Sequence, residues 1–214
     1  MVYLTFGEPV TGVYEGQVIG VCQHLKAQYG TDIRLVAFIS IRGFSAQKQK
    51  LQARMPDAIV LPMLPKIQLW ALNVITLALF CLFYRPKNII CRNVLATNLA
   101  LRVRKMGLLK KVCYDGRGAM AAEWSEYDVV PSASLKKAIV HLESNAILKS
   151  DFRIAVSSKL IAHWQEKFSF KSDKYVVIPC TLSSHFAMQA FSDKELIQKR
   201  EEMGYQAEDI IFIY

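Results

Sequence analysis

Residues 88–118 read NIICRNVLATNLALRVRKMGLLKKVCYDGRG. A short apolar run, "NIICR", is followed by a segment with helical character from about Leu95 to Met106. Gly107 stops it, and a second apolar run, "KKVCYD", comes next. Neither run alternates apolar with polar. Continuous apolar strands separated by a helix are the mark of parallel strands covered on both faces. The stretch therefore predicts a strand–helix–strand crossover, with Arg92, Asn93, Asp115 and Arg117 just at or after the two strand ends.

The same rhythm extends outward in both directions. "VYLTF", "IRLVAFIS" and "AIVLPML" predict three earlier strands. "FRIAVS" and "KYVVIP" predict two later ones. Between them lie helical segments. Val18, Val21, Cys22 and Leu25 share one face, as do Leu135, Ile139, Leu142 and Ala146. Ser157 or Ser158 can cap a helix carrying Leu160, Ile161, Trp164 and Phe168. Over "GRGAMAAEWSEYDVVPS" no regular period is visible. Strand and helix alternating in this way predict an α/β fold: a doubly wound, mostly parallel, Rossmann-like sheet.

Composition agrees with a folded chain. The 214 residues are 52% hydrophobic and 21% charged, with a formal net charge of +9. Excess cation favours anionic partners or simply keeps the chain soluble. Five cysteines are scattered and show no C-x-x-C pair, so a zinc centre and a thioredoxin-like motif are not expected. Buried, reduced thiols in a cytoplasmic protein account for them. The run "IQLWALNVITLALFCLF", residues 67–83, approaches membrane-spanning length. Gln68, Asn73 and Thr76 interrupt it, and it lies between two strands. A crossover helix buried on most sides is therefore expected.

Ligands of open parallel sheets bind beyond the carboxyl ends of the strands. After the first strand, "GEPVTGVYEGQ" offers Thr11, Gly12 and a helix start expected near Glu15 or Gly16. Such a loop either admits a phosphate or forms a tight turn, and it is not a G-x-G-x-x-G fingerprint. After the fourth strand, Arg92 and Asn93 suit an anion clamp or a structural ion pair. After the fifth, Asp115, Arg117 and Glu123 stand beside two glycines. They either pair with one another (Asp115 with Arg117, or Arg117 with Glu123) or hold a polar ligand. No histidine pair has metal-ligand spacing, no P-loop or G-x-S-x-G elbow occurs, and no nucleic-acid-binding motif is present.

Residues 150–186, "SDFRIAVSSKLIAHWQEKFSFKSDKYVVIPCTLSSHF", resemble the closing part of the N-terminal domain of GT-B glycosyltransferases, in the retaining family-four group. Ser150, Asp151, Ser157, Ile178, Pro179 and Phe186 match that pattern. Cys180, Thr181 and Leu182 replace its Asn-Gly-Val, and Ser184 or His185 stands near its Asp. "TGVYEGQVIGVCQHL" resembles the family's glycine loop, and "DGRGAMAAEW" a subgroup pattern after the fifth strand.

The resemblance implies a nucleotide-sugar donor and a glycan or lipid-linked acceptor, in cell-surface polysaccharide or glycolipid synthesis. It implies no metal or other cofactor and no nucleic acid. Gly12 and Thr11 would lie at the donor diphosphate, and Arg92, Asn93 and Arg117 would bind acceptor. Asp115, Arg117 and Glu123 are the best catalytic candidates. The family's histidine has no counterpart here. Residues 1–187 would form the acceptor-side domain. Residues 188–214, ending "EDIIFIY", would be a linker helix and the first strand of a donor-binding domain. Basic helices near Lys48, Lys50, Arg54, Lys110 and Lys111 would allow peripheral contact with an anionic inner membrane face. A non-enzymatic α/β module for a small phosphorylated ligand is the alternative.

Overall fold

The structure is a computed structural model that describes residues 1–64, 66–127, 133–180, 192–206 and 209–210. By contacts the chain divides into two units, Met1–Ser183 and Ser184–Tyr214. The first unit holds a seven-stranded sheet in the order β3-β2-β1-β4-β5-β6-β7. Its strands are β1 (Val2–Phe6), β2 (Arg34–Ser40), β3 (Ile59–Met63), β4 (Asn88–Arg92), β5 (Lys111–Gly116), β6 (Phe152–Ala155) and β7 (Tyr175–Val177). Every neighbouring pair is parallel, as the unbroken apolar runs predict. The chain winds outward from β1 to β3, returns to β4 on the other side of β1, and winds outward again. The direction of winding reverses between β1 and β4, and such a reversal opens a crevice at the carboxyl ends.

Alternation within the strands sorts side chains to two cores. Val2, Leu4, Phe6, Val36 and Phe38 face one side, under α4 (Asn73–Tyr84), α5 (Val94–Lys105), α7 (Ala133–Lys149) and α8 (Ser158–Phe168). Tyr3, Leu35, Ala37 and Ile39 face the other. There they meet α1 (Gly12–Tyr14), a π-helical turn (Glu15–Ile19), α2 (Gly20–Tyr29) and α3 (Phe44–Arg54). Helix capping follows the sequence: the Ser157 side chain accepts from Leu160 N at 3.2 Å. In the second unit, α9 (Asp193–Glu202) opens with a capping box between Ser192 and Glu195.

Four expectations need correction. The first helical run begins at Gly12, not near Glu15 or Gly16. The stretch after β5 contains a helix, α6 (Met120–Glu126), where no period was visible. Leu72, Ile75, Leu79, Leu82 and Phe83 are exposed, so the apolar crossover is covered on one side only. Finally, the second sheet face is open beyond β1. Cys113, Phe152, Ile154 and Val176 line an open groove of about 880 Å³. Thr181, Leu182, Ser184, His185, Phe186 and the expected final strand at 211–214 lie outside the described residues.

Candidate functional site

At the carboxyl ends of β1, β4 and β5 the sheet register sets Arg92 directly beside Asp115. Both are buried. Arg92 Nε donates to Glu8 Oε2 at 2.7 Å, and its Nη2 donates to Gln17 Oε1 at 3.0 Å. Glu8 comes from the loop after β1, and Gln17 from the π-helical turn. Asp115 Oδ2 accepts from Arg117 Nη2 at 2.9 Å and from the Tyr3 hydroxyl. Arg117 Nη1 also lies 4.0 Å from Cys180 Sγ, just beyond β7.

Electrostatics keep Arg92 and Arg117 charged and Tyr3 protonated. Burial opposes charge on Arg92, but Glu8 and its other partners outweigh it and raise its pKa. Burial likewise opposes charge on Arg117, and Asp115 more than restores it. Burial, followed by the charge of Asp115, pushes the Tyr3 hydroxyl well above its usual range, so it remains a donor.

Three buried polar atoms in this cluster have no hydrogen-bond partner among the described residues: Arg92 Nη1, Asp115 Oδ1 and Arg117 Nε. A buried polar atom without a partner is costly, so each such atom calls for an explanation. Two donors and one acceptor in a charged crevice suit a ligand rich in hydroxyl or anionic oxygens.

The other expected residues take distinct places. Asn93 is the N-cap of α5 at φ 76°. Its Oδ1 accepts from Ala96 N at 3.0 Å, and its Nδ2 donates to Phe6 O at 3.1 Å and to Glu8 Oε1 at 3.2 Å. Those bonds tie β1, β4 and α5 together and leave the amide no free hydrogen. Thr11 is the N-cap of α1 and Gly12 its first residue, and a Cβ on Gly12 would meet nothing within 4 Å. The fold itself therefore does not require glycine there. Glu123 is exposed on α6 and folds back over Gly118, where a Cβ would collide with its carboxylate. Arg117 pairs with Asp115, and no pairing with Glu123 is seen. Gly116 is required, since a Cβ there would stand 2.6 Å from the Trp164 ring.

Sequence reading missed Tyr3, Glu8 and Gln17. Glu8 follows Gly7 just past β1, so the strand-end rule already pointed to it. Tyr3 had a weaker signal: a tyrosine in a buried strand needs a partner for its hydroxyl. Among the described residues no group of three or more His, Cys, Asp or Glu side chains is placed to hold a metal. The groove of about 880 Å³ is elsewhere, along the open sheet face toward the amino ends of β4 to β7.

No protein-family model matches the chain, and no curated protein matches it. Solved structures do. A glycosyltransferase from Rickettsia africae matches 97% of this chain over 50% of its own, at TM-score 0.60 and 17% identity. The chain carries the fold of one half of a GT-B structure. The lipopolysaccharide outer core galactosyltransferase WaaB matches 84% of this chain over 45% of its own, at TM-score 0.56 and 15% identity. Anabaena HepE, solved in complex with UDP, matches 95% over 50%, at TM-score 0.60 and 12% identity. The chain thus spans about half the length of the structures it resembles.

Proposed function

We propose that this chain is the N-terminal, acceptor-side half of a nucleotide-sugar-dependent glycosyltransferase of the retaining, family-four-like kind. It acts in cell-surface polysaccharide or glycolipid synthesis, on the cytoplasmic side, peripheral at the inner membrane face. The carrying observation is the coincidence of two things. Several glycosyltransferase structures share this fold over half their length. In this chain a polar cluster with unpartnered donors and an acceptor occupies the sheet edge where such folds bind ligands. A neighbour solved with UDP supports a nucleotide-sugar donor.

In the reaction the bond from the anomeric carbon to the leaving diphosphate breaks, and a bond to an acceptor hydroxyl forms as that hydroxyl loses its proton. Positioning and neutralisation of the diphosphate supply most of the catalysis. Backbone at Thr11 and Gly12 admits the diphosphate closely. Arg92 and Arg117 orient acceptor hydroxyls or anions. Asp115 Oδ2 holds Arg117 and the Tyr3 hydroxyl, and its Oδ1 is left to accept from a ligand hydroxyl. Glu123 is the exposed carboxylate of the set and the one open to an acceptor. No metal is assigned a role. Residues 188–214 form the approach to a donor-binding domain.

Reading the gene past Tyr214 is the first test. A further α/β half with a Lys and two carboxylates supports the proposal, whereas an immediate stop codon favours the non-enzymatic phosphorylated-ligand module. Arg117→Ala in the complete enzyme is the second. Loss of a charged hydrogen-bond donor at the site lowers kcat/KM by roughly 10- to 100-fold. Arg117→Lys keeps the charge but loses the fork and recovers only part. Unchanged kinetics in Arg117→Ala would remove this residue from the site.

A further inference from the structure

The +9 net charge is not spread over the chain. Residues 58–114 contain nine Lys and Arg and no Asp or Glu. The rest of the chain holds eighteen of each sign and is formally neutral, so the whole excess lies in this one segment. The same segment carries α4 and the 3-10 turn before it (Ile67–Leu72), together long and apolar enough to cross a membrane.

In this fold one face of the helix is packed against the rest of the chain. Trp70, Leu77, Phe80 and Cys81 are buried in the core shared with α5 and the sheet. Its opposite face is bare. Leu72, Ile75, Leu79, Leu82 and Phe83 project within one arc of the helix, at i, i+3, i+7, i+10 and i+11. Ile75 is 61% exposed, Leu79 and Leu82 51%, and Phe83 81%. The stripe is roughly 17 Å long.

Cations flank it. Leu82, Arg85, Lys87 and Lys110 line one shallow depression. Arg34, Tyr84, Arg85 and Lys87 line the next, where Asp32 is the sole acidic side chain. Lys66, Arg85, Lys87, Lys105, Lys110 and Lys111 are exposed, with no ion pair among the described residues. α3 lacks this combination. Its Lys50 donates to Val10 O, its Arg54 lies 3.8 Å from Glu15, and it exposes no large apolar side chain.

We infer that the α4 stripe and its cationic flank form a membrane-docking surface, with the helix lying in the headgroup plane of an anionic bilayer. Apolar area plus basic charge is the pair of signals that interfacial anchoring requires. A second copy packed stripe to stripe would match the apolar face but would bring the same acid-free segment and its cations. The inference deepens the membrane-peripheral placement proposed above and rests on that placement alone, since docking needs no sugar transfer.

Sedimentation of the 214-residue chain with vesicles tests it. The chain sediments with phosphatidylcholine vesicles containing roughly a third phosphatidylglycerol, and less with phosphatidylcholine alone. Leu79→Gln with Phe83→Gln weakens binding at least about tenfold while circular dichroism is unchanged, since both side chains are already exposed. Lys87→Gln with Lys110→Gln weakens binding and flattens its salt dependence. Equal sedimentation of both double variants and the parent would overturn the inference, as would no binding by the parent. So would a dimer in solution that Leu79→Gln and Phe83→Gln convert to monomer without any effect on vesicles. Transfer to a water-soluble acceptor by the complete enzyme is unaffected by Leu79→Gln and Phe83→Gln, so failure of docking and failure of the enzymatic proposal are told apart.

Discussion

Asn93 sits at φ 76° and ψ 167°, a region of backbone space open essentially to glycine. Three side-chain hydrogen bonds hold it there, one to each of three segments that meet at the site. Asn93→Ala removes the cap and keeps the strained backbone, so it destabilises by about 1–3 kcal/mol. Asn93→Gly also removes the cap but relieves the strain, so it lies above the alanine variant in stability. Urea unfolding of the two variants checks the order, and a more stable Asn93→Ala would refute this account. At this scale the sequence was half legible. Arg92, Asn93, Asp115 and Arg117 stand at strand ends, and strand ends can be located from local pattern. Their partners could not be assigned from pattern, because the pairs are distant in the chain. Glu8 and Arg92 are 84 residues apart, Gln17 and Arg92 75, and Tyr3 and Asp115 112.

α6 shows why one element escaped the sequence. It is short, and its N-terminus is satisfied from another helix: Glu143 of α7 accepts from Ala121 N at 3.1 Å. A local cap would have announced the helix start, whereas a carboxylate 22 residues away does not. Glu143 is fully buried, and burial raises its pKa despite the backbone donors that favour its charge. Between the unfolded value and the raised folded one, the folded state binds more protons than the unfolded state. Stability from this group is therefore complete at low pH and falls as pH rises through that window. Glu143→Gln keeps an acceptor for Ala121 and cannot ionise. Its stability relative to the parent rises with pH above the ordinary glutamate range, by at most about 1.4 kcal/mol per pH unit. Urea midpoints across pH 4 to 8 measure it, and a pH-independent difference would contradict the burial argument.

On the scale of the whole molecule, the first unit is a parallel sheet with a core on each face, the second of which leaves one flank of the sheet open. Parallel strands normally have both faces covered. Here Cys113, Ile154 and Val176 line an open groove instead. If the proposed division of labour holds, residues 1–214 alone transfer no sugar above background, because the proposal assigns the donor-binding wall to a second domain. Turnover by the isolated chain, followed with labelled nucleotide-sugar, would end that proposal.

The sequence by itself determined the strands, most of the helices and their parallel arrangement. Helix and strand periods are local, and unbroken apolar runs report a sheet packed within a layered fold. Tertiary structure alone decided the strand order, the open flank, the exposed face of α4 and the union of Tyr3, Glu8, Gln17, Arg92, Asp115 and Arg117. These are outcomes of contacts between segments far apart in the chain. An apolar residue looks the same in sequence whether another element covers it or solvent does.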